Sequence, residues 1–143
     1  MEIATRQLIS APNAVASASD NTVVKPYRHI RVEGTRRAIV VYFNRSEFRA
    51  VDEIQQLGRE LLAAADVAAR VDMPLLVNLA ALTNMSSAVL SKLVFLGKKA
   101  KHHGIALMFC ALSPEIAKLF STVNLDKLFP VIDSEDDLSK GSA

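Results

Sequence analysis

Hydrophobic and polar residues follow two different periods along the chain, and together these periods predict a mixed α/β domain. Apolar, β-branched and aromatic residues at about 27–32 and 38–43 predict two strands, and Gly34 in the turn between them predicts a hairpin connection with positive φ. Apolar residues then recur at three- and four-residue spacing, which predicts a long amphipathic helix packed on a sheet. This period is carried by Val51, Ile54, Leu57, Leu61, Leu62 and Ala65.

The second half of the chain has the pattern of a βαβ unit. The short apolar runs at 75–79 and 105–110 are bounded by Pro74 and Gly104, and such runs are typical of parallel strands buried on both sides. Between them a helix is predicted to begin near Ser86 or Ser87 and to end at Gly104, a residue suited to a helix C-cap.

The remaining segments complete a single domain. Ser-Pro-Glu at 113–115 predicts another helix start, and the apolar residues at 129–132 predict a last short strand. We expect an α/β fold with a mixed, mostly parallel sheet of four or five strands and three or four helices. Residues 1–24 lack either period and are predicted to form a mobile N-terminal arm, so the domain spans 25–143.

Composition and charge narrow the function classes. No apolar run approaches the roughly 20 residues that a membrane-spanning helix needs, and the first residues do not have the pattern of a secretory signal. We therefore expect a cytoplasmic protein with no membrane partner. The net charge of +2 is too small to indicate a nucleic-acid partner. One cysteine and three histidines supply neither a disulfide nor a spaced zinc-ligand set, so no metal or other cofactor is predicted.

The sequence contains none of the common catalytic patterns. It has no phosphate-binding glycine loop, no Gly-x-Ser-x-Gly and no His-Glu-x-x-His, and it has five glycines in all. The acidic residues at 133–137 are interpreted as the solvated cap of a short terminal helix. We therefore expect a protein that is not an enzyme.

The most informative stretch is NLAALTNMSSAVLSKL at 78–93, followed by CALSP at 110–114 and KLF at 118–120. It resembles the STAS domain of anti-sigma factor antagonists. In that family a strand ends in a short loop, Asp-Ser-Ser-Gly-Leu-Gly or a variant opens a helix, and a later Leu-Ser-Pro opens the next helix. The resemblance runs from about 27 to 138, is most specific at 78–129, and implies a STAS-like fold.

The same resemblance implies a role for the start of the helix. It puts Ser87 on the phosphorylated serine of the family, with Ser86 as the alternative site, while Ser86 occupies the position of the usual aspartate. This replacement leaves open an altered kinase or none. Of the four residues that follow, one matches the family and three depart from it. Leu90 matches the family leucine, Ala88 stands in place of Ser or Thr, and Val89 and Ser91 replace the two glycines.

Two interpretations of the serine pair stay open from the sequence. Serines at a helix start commonly cap the free amide groups. A phosphate at the same place is tolerated because the helix N-terminus offers unpaired N–H groups and the positive end of the dipole. Its charge would also disturb an acidic or apolar partner surface docked on that helix end. The second interpretation makes the serine pair a reversible binding switch.

Phe95 provides a separate indication of a binding surface. It lies about 140° around the helix from the predicted buried residue Leu90, so we expect it to be exposed. Exposed aromatic residues with small neighbours often anchor interfaces, although single exposed apolar residues are also common. The predicted partner-binding residues are Ser86, Ser87, Ala88, Ser91, Lys92 and Phe95.

The leading hypothesis is a phosphorylation-regulated protein-binding module. The resemblance implies that it docks onto an anti-sigma factor or serine kinase, is dephosphorylated by a phosphatase, and releases a sigma factor. One alternative is a homo-oligomeric scaffold subunit of a stressosome-like assembly, which the size of the protein in solution would reveal. Another is an accessory subunit of a transporter ATPase, which co-purification would reveal.

Overall fold

The strands lie side by side in the sheet in the same order as along the chain. The computed structural model describes residues 22–134. The sheet has six strands in the order β1 to β6; the first two neighbouring pairs are antiparallel and the other three are parallel. The strands are β1 Thr22–Pro26, β2 Ile30–Gly34, β3 Ile39–Phe43, β4 Leu75–Asn78, β5 Leu107–Cys110 and β6 Val131–Ile132. The helices are α1 Val51–Arg70, α2 Ser87–His103, α3 Pro114–Thr122 and α4 Leu125–Leu128.

This architecture confirms the predicted α/β class with its mixed sheet. The sheet has one strand more than predicted, because Thr22–Pro26 pairs antiparallel with β2 along the edge of the sheet. Three residues of this strand, 22–24, fall in the predicted N-terminal arm. The rest of that arm, 1–21, and most of the predicted acidic cap lie outside the described residues.

The turn between β2 and β3 is built differently from the prediction. Gly34 is the last residue of β2, pairs with Ile39, and does not have positive φ. The hydroxyl oxygen of Thr35 instead accepts hydrogen bonds from the backbone N–H groups of Arg37 and Ala38, at 3.1 and 3.0 Å. The predicted positive-φ glycine was wrong because a threonine side chain holds this turn.

The main core lies between one face of the sheet and the helices. Leu75, Leu76 and Val77 of β4 are all fully buried, although alternate residues point to opposite faces. This confirms the prediction that the apolar residues of this strand are buried on both faces of the sheet. Cys110 is also fully buried, as expected of a small core residue.

Two glycines allow α2 to approach its neighbours closely. A Cβ at Gly97 would lie 2.7 Å from Cε2 of Phe129 and closer still to Cζ of the same ring. A Cβ at Gly58 of α1 would lie 2.8 Å from Cδ of Lys92. Helix α2 is therefore packed between the segment before β6 and helix α1, with its first turn at the carboxyl end of β4.

Candidate functional site

Buried side chains and hydrogen bonds hold the loop between β4 and α2 in place. Leu82 and Met85 bury their side chains, and the backbone N–H of Thr83 donates to the carbonyl oxygen of Ser46 at 3.0 Å. The side-chain oxygen of Asn78 accepts a hydrogen bond from the N–H of Ala80 at 2.9 Å. These contacts fix the position of the loop, and with it that of Ser86 and Ser87 at the start of α2.

Ser86 is the N-cap of α2. Its backbone is extended, with φ −79° and ψ 165°, and its hydroxyl oxygen accepts a hydrogen bond from the N–H of Val89 at 3.2 Å. The carbonyl oxygen of Ser86 accepts the N–H of Leu90 at 3.0 Å. The structure thus assigns the capping role to Ser86, while Ser87 is the exposed first residue of the helix.

The cap makes a direct prediction for stability. Ser86→Ala should lower the free energy of unfolding by about 1 kcal/mol, because the N–H of Val89 loses its acceptor. Ser86→Asp should keep the stability near wild type, since a carboxylate can accept the same bond and complements the helix dipole. Urea unfolding followed by circular dichroism measures both changes. Ser87→Ala is the matched control; an equal loss in this variant would contradict the assignment of the cap to Ser86.

The electrostatic surroundings favour an anionic group on Ser87. The first turn of α2 has no acidic residue, and the N-terminal end of a helix presents unpaired N–H groups with partial positive charge. Among the described residues, the hydroxyl of Ser87 makes no hydrogen bond, in contrast to that of Ser86. A phosphate on Ser87 would leave the cap intact, whereas one on Ser86 would replace the hydroxyl that forms it.

The predicted partner-binding residues lie along one exposed side of α2. Ser87, Ser91 and Phe95 follow at four-residue spacing and are exposed, which places them in one row on the helix surface. Ala88 is exposed and Lys92 is half-buried beside this row. Phe95 is 54% exposed, which confirms its predicted exposure. We call these five residues the α2 stripe; their role in binding stays a prediction.

A shallow groove lies beside Lys92 and Phe95, at the C-terminal end of the α2 stripe. Helix α1 forms its other wall, which the sequence did not predict. The stem of Lys92 crosses α1 at Gly58, and its Nζ donates to the side-chain oxygen of Gln55 at 3.2 Å. The sequence offered one signal of this contact, Gly58 inside the predicted first helix, because a glycine within a helix usually has a packing reason. The groove, of about 170 Å³, is lined by Gln55, Gly58, Arg59, Leu62, Lys92 and Phe95.

A second cleft, of about 350 Å³, lies at the start of α1 and is strongly polar. It is lined by Arg28, His29, Arg45, Asp52, Glu53 and Gln56. Arg45 forms an ion pair with Glu53. That contact, with the N–H groups of Ala50 and Arg49, lowers the pKa of the Glu53 carboxyl. One cation and one carboxylate of the cleft, Arg45 and Glu53, are therefore paired, and the arrangement of the lining residues does not define a ligand.

Within 22–134, no three His, Cys, Asp or Glu side chains are grouped as a metal site requires. None of the helices in this range is both long and apolar enough to cross a membrane.

The fold and this site define a small α/β domain whose distinctive feature is a serine-capped helix start after a central parallel strand. The family model for the STAS domain matches residues 29–138, and the chain belongs to the STAS domain family. This confirms the resemblance from the sequence. No curated protein sequence matches the chain significantly.

Solved structures give the same fold. An anti-sigma-factor antagonist (STAS) domain protein from Planctomyces limnophilus is 21% identical, with a TM-score of 0.69 over 80% of this chain and 98% of that chain. The anti-sigma factor antagonist SpoIIAA in its unphosphorylated form is 14% identical, with a TM-score of 0.55 over 79% and 96%. SpoIIAA of Bacillus in the phosphorylated form is 14% identical, with a TM-score of 0.54 over 78% and 97%. At these identities the likeness establishes the fold alone.

Proposed function

We propose that this protein is an anti-sigma factor antagonist, a binding module that docks onto an anti-sigma factor with serine kinase activity and so releases a sigma factor. Unmodified, it would bind through the start of α2 and the α2 stripe; phosphorylated on Ser87, it would dissociate. The observation that carries this proposal is the exposed Ser87 at the first helical position, beside a separate serine that caps the helix. The cap keeps the helix start in place in both phosphorylation states.

Three observations support phosphorylation at this helix start, and the first two favour Ser87 over Ser86. Both serines are exposed, but the hydroxyl of Ser86 accepts the N–H of Val89, whereas the hydroxyl of Ser87 takes no part in the cap. The family resemblance places the phosphorylated serine on Ser87. A structural neighbour, SpoIIAA, has been solved in phosphorylated and unphosphorylated forms.

The first test is peptide mass spectrometry of the protein purified from its own cells, during growth and under stress. We expect a phosphate on Ser87 in one of these states. A loop that stays unmodified in every state would overturn the phosphorylation switch.

The second test measures binding of the partner that co-purifies with the unmodified protein. Ser87→Asp should weaken this binding at least about tenfold, because a negative charge set against an acidic or apolar partner surface is costly. Ser87→Asn has nearly the same shape without the charge and serves as the matched control. Equal affinities for wild type and Ser87→Asp would contradict the proposal, and so would equal losses in both variants.

A further inference from the structure

The groove between α1 and α2 has the dimensions of a pocket for one side chain. Its volume of about 170 Å³ is below the range of about 300 to 1,000 Å³ that is usual for small-molecule and cofactor sites. Its wall includes the half-exposed ring of Phe95, a residue type that frequently dominates binding energy when an interface covers it. The groove therefore fits a single large apolar side chain that projects from a protein surface.

The cations around this groove have neutral neighbours. Lys92 donates to the amide oxygen of Gln55, and Arg59 donates through Nε and Nη2 to the amide oxygen of Gln56. The Nζ of Lys98 lies 5.4 Å from the centre of the Phe95 ring. In the described part of the chain, none of these three cations forms an ion pair with a carboxylate.

Asp66 compensates the charge of Lys99, whereas within 22–134 no carboxylate does this for the three cations around the groove. Oδ1 of Asp66 lies 3.7 Å from Nζ of Lys99 and 2.9 Å from Nε2 of His103. Helix α2 itself contains no aspartate or glutamate between Ser87 and His103. Three cations without an ion pair therefore surround Phe95, while Lys101, which also lacks one within 22–134, lies farther along α2.

We propose that the groove binds an acidic segment of a protein partner, with one large apolar side chain seated against Phe95 and carboxylates facing Arg59, Lys92 and Lys98. Three cations around a pocket for one side chain suit an acidic peptide better than a nucleic acid, whose phosphate backbone requires an extended basic surface. This inference rests on the proposed function, because it names the chemistry of the partner that docks along α2.

The probe is a synthetic helical peptide with glutamates around one central phenylalanine, titrated into the isotope-labelled full chain. Amide chemical shifts measured by NMR should change at Gly58, Arg59 and Phe95, and the affinity should fall as salt is added. A twin peptide with lysines in place of the glutamates should leave these shifts unchanged. Equal binding of both peptides would overturn the role of charge.

Variants of the chain locate the binding. Lys92→Glu and Phe95→Ala should each weaken the acidic peptide at least about tenfold. Lys101→Glu makes the same charge change at an exposed position outside the groove, and we expect less than about a twofold effect. Shifts confined to the Lys101 end of α2, self-association through Phe95, or RNA competing with the peptide at the groove would each overturn the proposal.

Ser87→Asp separates this inference from the phosphorylation switch. Ser87 and Phe95 are eight residues apart on α2, about 12 Å along the axis, which exceeds the screening length of about 8 Å at physiological salt. The short peptide should therefore bind Ser87→Asp within about twofold of wild type. If the peptide binds the groove and Ser87 is never modified, the groove proposal stands and the switch fails. If Ser87 is modified and the peptide does not bind at millimolar concentration, the reverse holds.

Discussion

Gly97→Ala should lower the free energy of unfolding by about 1 to 3 kcal/mol, although alanine favours helices over glycine by about 1 kcal/mol. The added Cβ would lie 2.7 Å from Cε2 of Phe129 and nearer still to Cζ, so either the ring or α2 must move. The ring packs edge to face on Phe109, with centroids 6.1 Å apart, which restricts its escape. Urea unfolding followed by circular dichroism measures the loss.

Gly58→Ala is the matched control, because it makes the same change within a neighbouring helix. Its Cβ would meet the stem of Lys92, a flexible side chain that can swing aside, and so the stability should stay within about 1 kcal/mol of wild type. Adding Phe129→Leu to Gly97→Ala should recover part of the loss, because leucine does not reach as far as the phenylalanine ring. A stability of Gly97→Ala equal to or above wild type would refute the close approach.

Periodicity predicted most of the architecture, since it records which faces of an element are buried. The consecutive apolar residues Leu75, Leu76 and Val77 of β4 predicted burial on both faces of the sheet, and all three are buried in the structure. Strand β1 escaped prediction although Thr22, Val23 and Val24 are β-branched, because three such residues are too few to show a strand period. Val51 began the predicted apolar stripe of α1 but is 75% exposed, because the first residue of a helix can lie beyond the edge of the sheet.

The sequence likewise predicted only part of the candidate site. Capping by a serine and the exposure of Phe95 depend on local spacing, and the sequence predicted both. The choice of Ser86 over Ser87 as the cap depends on where the helix begins, and one residue is within the ordinary uncertainty of that boundary. The groove combines residues from two helices: Gly58 alone signals a close approach to α1, but it does not identify Lys92 as the residue in contact.

Position 86 also links the fold to the proposed switch. The family resemblance places an aspartate there, and both aspartate and serine are strong N-cap residues. The replacement keeps the cap and removes one negative charge from the helix start. In this protein the first turn of α2 therefore has no acidic side chain, and a phosphate on Ser87 would introduce the first negative charge of this turn.

Glu60→Leu should cost about 1.5 to 3 kcal/mol of stability, the range for a lost hydrogen bond to a charged group. The Glu60 side chain is 2% exposed, and its Oε1 accepts the buried backbone N–H of His29 at 2.8 Å. Its Oε2 accepts from Nε2 of Gln56 at 3.0 Å. This carboxylate joins the middle of α1 to the start of β2, so leucine would leave the His29 N–H buried without an acceptor.

Glu60→Gln distinguishes this hydrogen bond from simple packing, because the amide keeps an oxygen for the N–H of His29 and has nearly the same volume. We expect Glu60→Gln to recover most of the stability that leucine loses, and the His29 amide to regain its protection in hydrogen exchange. Equal stabilities for Glu60→Leu and Glu60→Gln would mean that apolar contacts compensate for the lost bond. The carboxylate would then be present for a reason other than holding β2, and the neighbouring polar cleft, lined by His29 and Gln56, would be the place to seek that reason.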